Sequence, residues 1–208
     1  MCVRFHTLGA TERARVGELA RQRGVLTARD AAREGIHSQT LTRLVREGAL
    51  ERVSRGSYRL PTADVTEFHA LALAAAAVPR GVVCLVSALV FHEIGTQLPA
   101  EVWLAIDRRA RAPVVSYPRL RIVRFSGNAL REGIECHRIE GVDVHVTSVA
   151  KTIADLFKYR NKIGLDVALE ALREAWRDRR FTMADLDRAA RACRVDRVIG
   201  PYLEGILS

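Results

Sequence analysis

Apolar residues in the first sixty positions recur first at helical and then at strand spacing. Residues 11–23 carry Val16, Leu19 and Ala20 on one stripe and run into Gly24, which predicts a helix and its stop. Thr27, followed three residues later by Asp30, reads as a capping start: the hydroxyl takes an orphan amide hydrogen and the acid lies against the positive helix end. Gly35 closes that short helix, and Gly35, Ile36 and His37 make a tight turn. The next helix begins at Ser38 as N-cap and runs to Glu47, with Gly48 as its stop. Within it Leu41, Leu44 and Val45 fall at i, i+3 and i+4 and face a core, while Gln39, Thr42, Arg43 and Arg46 lie opposite. Residues 50–53 and 57–60 predict two strands joined by the turn Ser54, Arg55, Gly56, Ser57, with Arg52, Arg55 and Arg59 along the ribbon. This is the outline of a winged helix-turn-helix. Its second helix enters a major groove, and arginines on the wing lie where phosphates run.

Beyond Leu60 the pattern changes. Pro61 ends the ribbon and suggests a boundary that divides the chain into residues 1–62 and 63–208. A helix is predicted over residues 64–78, a brief strand over 82–84 and a helix over 87–94 stopped by Gly95. Strands follow over 102–107, 119–126, 134–139 and 142–146, the last two around the turn Glu140, Gly141. After Ser148 only helical spacing remains, over 150–158, 165–176, 183–193 and 195–206. The fold class is therefore α+β: an N-terminal winged helix-turn-helix, then a mixed α/β domain with a helical C-terminal part.

Charge sharpens this picture once it is counted by region. The chain of 208 residues carries a net charge of +9. Residues 1–60 hold 12 arginines, no lysine and 6 acids, hence +6; residues 61–150 balance 9 arginines against 9 acids; residues 151–208 set 12 basic against 9 acidic residues. Two thirds of the excess therefore sits on the expected DNA-binding module, where it gains affinity by releasing counterions from the phosphate backbone. Hydrophobic residues make up 49% of the chain and mean hydropathy is zero, as in an ordinary globular protein. The apolar tract over residues 70–78 is broken by Pro79, Arg80 and Gly81, short of the roughly 20 residues a membrane span needs. The start MCVRFHTLGA has no long apolar run, so no export signal is expected. Cys2, Cys84, Cys136 and Cys193 stand far apart with no CxxC pair, which points to reduced thiols in a cytoplasmic protein.

The recognition helix has chemistry suited to base edges. Arg43 can bond bidentately to guanine and Gln39 to adenine, while Thr42 can bond a base or touch a thymine methyl. Ser38 stands at the helix start. Arg46, Arg52, Arg55 and Arg59 are assigned to phosphates. A second basic cluster, Arg108, Arg109, Arg111, Arg119, Arg121 and Arg124, surrounds a proline-marked loop and strand; it extends the DNA footprint, faces a partner's acidic groups, or is a solvated face. No cofactor or metal is implied. Cys136 and His137 are adjacent and point to opposite faces of a strand, which spoils a metal set with Asp143 and His145. Asp107 and Glu135 lack the acid-x-lysine element of a nuclease, and no nucleophile elbow, phosphate-binding glycine loop or HExxH is present. His69 and His92 sit among apolar residues as satisfied core or edge histidines. The chemistry is that of binding rather than catalysis.

The wing motif RGSYRL, the segment SALVFHEIG before the strand VWLAID, and TSVAKTIADLF before a helical end resemble the AbiEi-type antitoxins of type IV toxin-antitoxin systems. The resemblance runs from about Thr11 to the C-terminus and lies in the order of loose motifs. It implies a transcriptional autoregulator whose winged helix binds repeats in its own promoter as double-stranded DNA. It also implies a second domain that neutralises a nucleotidyltransferase-like toxin and need not form a tight complex with it. By the same resemblance Ser38, Gln39, Thr42, Arg43, Arg46, Arg52, Arg55 and Arg59 are the DNA contacts, with no catalytic residues. The alternative is a winged-helix regulator whose second domain senses a ligand or mediates assembly, with no toxin partner.

Overall fold

The computed structural model describes residues 4–207, with side chains over residues 11–205; Cys2 lies outside them. The chain divides into two compact units. The first comprises the residues through Pro79 together with Val114–Pro118 and Arg138–Val144; the second comprises Arg80–Pro113, Arg119–His137 and the residues from His145 onward. The winged-helix unit thus continues past residue 62 and takes in two later excursions of the chain.

The first unit contains α1 (Arg4–Arg23), β1 (Leu26–Thr27), α2 (Ala28–Arg33), α3 (Ser38–Arg46), β2 (Glu51–Ser54), β3 (Ser57–Arg59) and α4 (His69–Ala77). Thr27 caps α2 as its sequence suggests, its hydroxyl accepting from the Asp30 amide at 3.1 Å and donating to the Asp30 carboxylate at 2.6 Å. Gly35 and Gly48 adopt positive φ, +73° and +70°. After α2 the Ile36 amide reaches the Ala31 carbonyl at 2.9 Å and the Gly35 amide reaches Ala32 at 3.1 Å. After α3 the Ala49 amide reaches Leu44 at 2.9 Å and the Gly48 amide reaches Val45 at 3.1 Å. Both helices therefore end in Schellman closures, and Ile36 is driven into the core beneath the first.

Several elements differ from the sequence expectation. The first helix begins at Arg4, well before Thr11. The N-cap of α3 is His37, which makes no side-chain cap bond, and Ser38 is the first helical residue. Leu26 and Thr27 pair antiparallel with Tyr58 and Ser57, so the wing is three-stranded, in the order β1-β3-β2. Residues 64–68 stay outside α4, whose first residue, His69, is held at Nδ1 by Glu140 at 2.6 Å. Glu140 also accepts from the Thr66 amide at 2.7 Å and the Thr66 hydroxyl at 2.9 Å. Burial pushes the Glu140 carboxyl up, but these hydrogen bonds from His69 and Thr66 outweigh it and hold it below the usual range.

The second unit contains β4 (Val82–Val83), α5 (Leu85–Phe91), β5 (Val102–Asp107), β6 (Leu120–Phe125), a 3-10 turn at Gly127–Leu130, and most of the hairpin β7 (Ile134–Ile139) and β8 (Val142–Thr147). The helices α6 (Val149–Ile163), α7 (Leu165–Arg177), α8 (Met183–Cys193) and α9 (Asp196–Leu207) complete it. The sheet order is β6-β5-β4-β8-β7, with β5 parallel to β6, antiparallel to β4, and β4 parallel to β8. α5 starts at Leu85 rather than Ser87, and α6 continues past Lys158 to Ile163. Ala168, Ala171, Ala175, Ala189 and Ala190 are buried in one core with Leu156 and Phe157, so small side chains let α7 and α8 approach α6 closely. Among the described residues no helix is long and apolar enough to cross a membrane.

One charged pair lies inside this core. Lys151 and Asp155, one turn apart on α6, are bonded to each other and almost wholly excluded from solvent. The Lys151 Nζ stands 4.6 Å from the centre of the Phe125 ring, and the Cys193 thiol donates to Asp155 Oδ1 at 3.1 Å. Burial raises the Asp155 carboxyl against the pull of Lys151, and burial with the Asp155 charge lifts the Cys193 thiol to about 12. Burial likewise raises Cys84, so both thiols are protonated and unreactive. His92, also buried, donates Nε2–H to the Thr147 carbonyl at 2.7 Å, and burial lowers its pKa.

Two stability experiments follow from these contacts. Lys151→Met leaves Asp155 as an unpaired buried acid and should cost about 3–5 kcal/mol in denaturant titration, whereas Lys151→Met with Asp155→Leu should recover most of that loss. A full loss in the double variant would show that the pair is not what stabilises this core. For Glu140 the folded pKa is depressed, so its contribution is present above the unfolded carboxyl value, about 4.3, and is lost as pH falls through the folded value. Glu140→Gln should therefore cost about 1–3 kcal/mol at pH 7, with the gap to wild type closing below about pH 4.

Candidate nucleic-acid interface

α3 is sharply two-sided. Thr40, Leu41 and Leu44 are buried, Leu41 and Leu44 in the core formed with Val16, Ala20, Leu26, Ala31, Ile36, Leu50 and Tyr58. Val45 packs partly against that core. The remaining edge, Ser38, Gln39, Thr42, Arg43 and Arg46, is exposed throughout. Burying one edge of a helix in a core settles its rotation about its own axis, so the opposite edge is presented as a fixed row.

The free side chains of that row differ in readiness. Thr42 bonds back to the Ser38 carbonyl at 3.1 Å, leaving its methyl and oxygen lone pairs outward. Arg43 lies between two acids, Nη2 at 3.5 Å from Glu12 and Nε at 3.7 Å from Glu47. Glu12 also accepts from the buried Thr40 hydroxyl at 3.1 Å. These exposed ion pairs are each worth under about 1 kcal/mol, so they orient the guanidinium and yield to a better acceptor. Glu47, at i+4 from Arg43, is a partner the sequence discloses through helical spacing. Glu12 is not disclosed, because it comes from α1, some thirty positions earlier, and only packing brings it near.

The wing arginines separate into two kinds. Arg55 is exposed at the turn beside Gly56, whose φ is +77°. Arg52 is exposed and donates only weakly to the Ser54 carbonyl, at 3.4 Å. Arg59 instead lies across the strand pair from Glu51 and binds it through Nε at 2.9 Å and Nη2 at 2.8 Å. Its side chain is only 16% exposed, so it ties β3 to β2 rather than projecting outward.

The six arginines of the second basic cluster do not form one patch. Trp103 pairs with Arg121 and Ile106 with Arg124 in the β5–β6 register, so Arg121 and Arg124 point to opposite faces of the sheet. Arg121 stacks on the Trp103 ring at 4.5 Å, with Glu101 at 3.9 Å. Arg124 donates Nη1 to the carbonyls of Arg108 at 2.9 Å and Ala110 at 2.7 Å, fastening the chain after β5. Arg109, Arg111 and Arg119 are exposed. Among the described residues no three or more histidine, cysteine, aspartate or glutamate side chains are grouped so as to hold a metal ion. Asp107 is engaged in capping the Arg109 amide at 2.8 Å, and Glu135 in bonding His137 at 3.2 Å.

No curated protein matches the chain. Residues 15–61, which span the C-terminal part of α1, the α2-turn-α3 pair and the wing, match the family described as transcriptional regulator, AbiEi antitoxin. Over that stretch, less than a quarter of the chain, the sequence is similar to AbiEi-type antitoxin transcriptional regulators.

Proposed function

We propose that this protein is a cytoplasmic DNA-binding antitoxin that represses its own promoter through residues 1–62 and opposes a nucleotidyltransferase-like toxin through residues 63–208. It does so by binding rather than catalysis. The observation that carries the DNA-binding part is the fixed outward row on α3 opposite Thr40, Leu41 and Leu44. In this reading Gln39, Thr42 and Arg43 meet base edges in the major groove, and Ser38 contacts DNA at the helix start. Arg46, Arg52 and Arg55 hold phosphates, giving affinity without sequence information. Arg59, engaged by Glu51, supports the wing and stands behind these contacts. The alternative role, a regulator whose second unit senses a ligand without any toxin, draws support from a hollow in that unit lined by Arg108, Arg124, Lys158, Arg191 and Arg194. A neighbouring reading frame for a nucleotidyltransferase-like protein separates the two.

Fluorescence anisotropy with the protein's own promoter tests the assignment. Arg43→Ala should cost about 1–3 kcal/mol at one operator position and relax preference there, whereas Arg55→Ala should weaken all sequences alike and reduce the salt slope by about one. Absence of salt-dependent promoter binding by the wild-type protein would end this reading. Glu47→Gln frees one side of Arg43 and removes a negative charge beside the groove. It should tighten promoter binding by about 0.3–1 kcal/mol; weaker binding would show that Glu47 is needed to aim Arg43.

A further inference from the structure

The second unit has a cavity of about 560 Å³ at the carboxyl ends of β5 and β6, closed below by α6 and the end of α8. Its walls carry five cationic side chains, Arg108, Arg124, Lys158, Arg191 and Arg194, against one carboxylate, Asp155. That carboxylate is already matched by Lys151 within the core. A second hollow, about 570 Å³, adjoins the first and shares Arg108, Ser126 and Gly127 with it.

Two of the cations are fastened to the backbone, and a third is oriented by an acid. Arg124 is fastened through Nη1 to three backbone carbonyls, those of Asp107, Arg108 and Ala110, at 3.3, 2.9 and 2.7 Å. Lys158 donates to the Cys193 carbonyl at 2.6 Å, at the last turn of α8. Arg191 is oriented by Asp187, with contacts of 3.0 Å from both Nε and Nη2. Carbonyls position Arg124 and Lys158 without cancelling their charge, so positive potential accumulates in the concavity. Arg108 and Arg194 are exposed and have no side-chain partner among the described residues. Ser126 and Asn128 add hydroxyl and amide donors, and Tyr159 an aromatic wall.

We propose that this cavity binds a phosphate-bearing ligand of nucleotide size, a nucleoside di- or triphosphate, whose phosphates are held by Arg108, Arg124, Lys158 and Arg194. The volume lies within the range of about 300–1,000 Å³ typical of small-molecule sites and is far too small for a duplex. Arginine guanidinium is the side chain suited to planar, bidentate recognition of phosphate oxygens. The aromatic wall beside the cations favours a ligand with a base over a bare oxyanion. The site belongs wholly to the second unit and is independent of the winged helix, so it stands or falls apart from promoter recognition.

Isothermal titration calorimetry of the full-length protein with inorganic phosphate, pyrophosphate and each of the four common ribonucleoside triphosphates decides the matter. Saturable binding of at least one nucleoside triphosphate, tighter than pyrophosphate, is expected. It should weaken about tenfold for Arg108→Gln and up to about a hundredfold for Arg108→Gln with Arg194→Asn, since each phosphate contact is a charge-assisted bond. Asparagine is chosen because Arg194 has φ +59°, a conformation asparagine tolerates. The single variant keeps the test intact if the second substitution disturbs the turn. Promoter binding should survive both changes, while Arg46→Ala should lose promoter affinity and keep the nucleotide. No binding at millimolar concentration, binding that ignores Arg108, equal affinity for pyrophosphate and nucleoside triphosphates, or loss of promoter binding in the Arg108 variants would each overturn the proposal.

Discussion

The burial of Leu41 and Leu44 is the contact on which the outward chemistry of the winged helix depends. With both side chains enclosed by Val16, Ala31, Ile36, Leu50 and Tyr58, α3 has a single rotational setting. Gln39, Thr42, Arg43 and Arg46 then have nowhere to point but solvent. Two backbone closures make this burial attainable. Left-handed Gly35 and Gly48 let the chain reverse within a residue or two at each end, so Ile36 and Leu50 return to the core beside the leucines. Without them α3 would begin or end too late for its apolar edge to meet the hydrophobic side of α1 and the wing.

Electrostatics in the two units follow different rules because their charges differ in exposure. On the recognition edge every partner of Arg43 is solvated, so Glu12 and Glu47 steer it at little cost and can be exchanged for a nucleic-acid acceptor. Arg59 is more enclosed and is committed to Glu51. In the second unit Lys151 and Asp155 are withdrawn from water altogether. There the desolvation of two charges nearly offsets their attraction, and losing one partner costs more than the pair contributes. The cavity walls lie between these extremes, with Arg124 and Lys158 held by neutral carbonyls and Arg191 paired with Asp187. The carbonyl-held cations keep their charge and add to the local positive potential.

The same contrast explains why histidines and cysteines of the second unit look chemical in the sequence yet are structural in the fold. His92 is bonded to the Thr147 carbonyl and Cys193 to Asp155, both in apolar surroundings. Burial keeps the Cys193 thiol protonated, which removes the thiolate that metal binding or nucleophilic attack would use, while the Nε2 of His92 is occupied by the Thr147 carbonyl.

Helix ends and strand alternation were legible because they depend on neighbours a few positions apart. Thr27 with Asp30, Gly35, Gly48 and Gly56 act within one turn of backbone, the strand over residues 102–107 is marked by its β-branched and aromatic residues, and the helix over 183–193 by its apolar spacing. The exposed row on α3 is equally local, since it is the complement of an apolar stripe. What the sequence could not disclose are contacts made by distant segments: Glu12 beside Arg43, Leu26 and Thr27 paired with the wing, Glu140 on Thr66 and His69, and Arg108 grouped with Lys158 and Arg194 around one cavity. Of six arginines close in sequence, Arg121 and Arg124 were set on opposite faces of a sheet, and cations far apart in sequence were gathered. The sequence by itself determined the winged helix and its outward row, because local periodicity and capping are properties of short segments. Only the tertiary structure decided which charges are committed, which are buried and which converge, because those depend on distances that close only when the core packs.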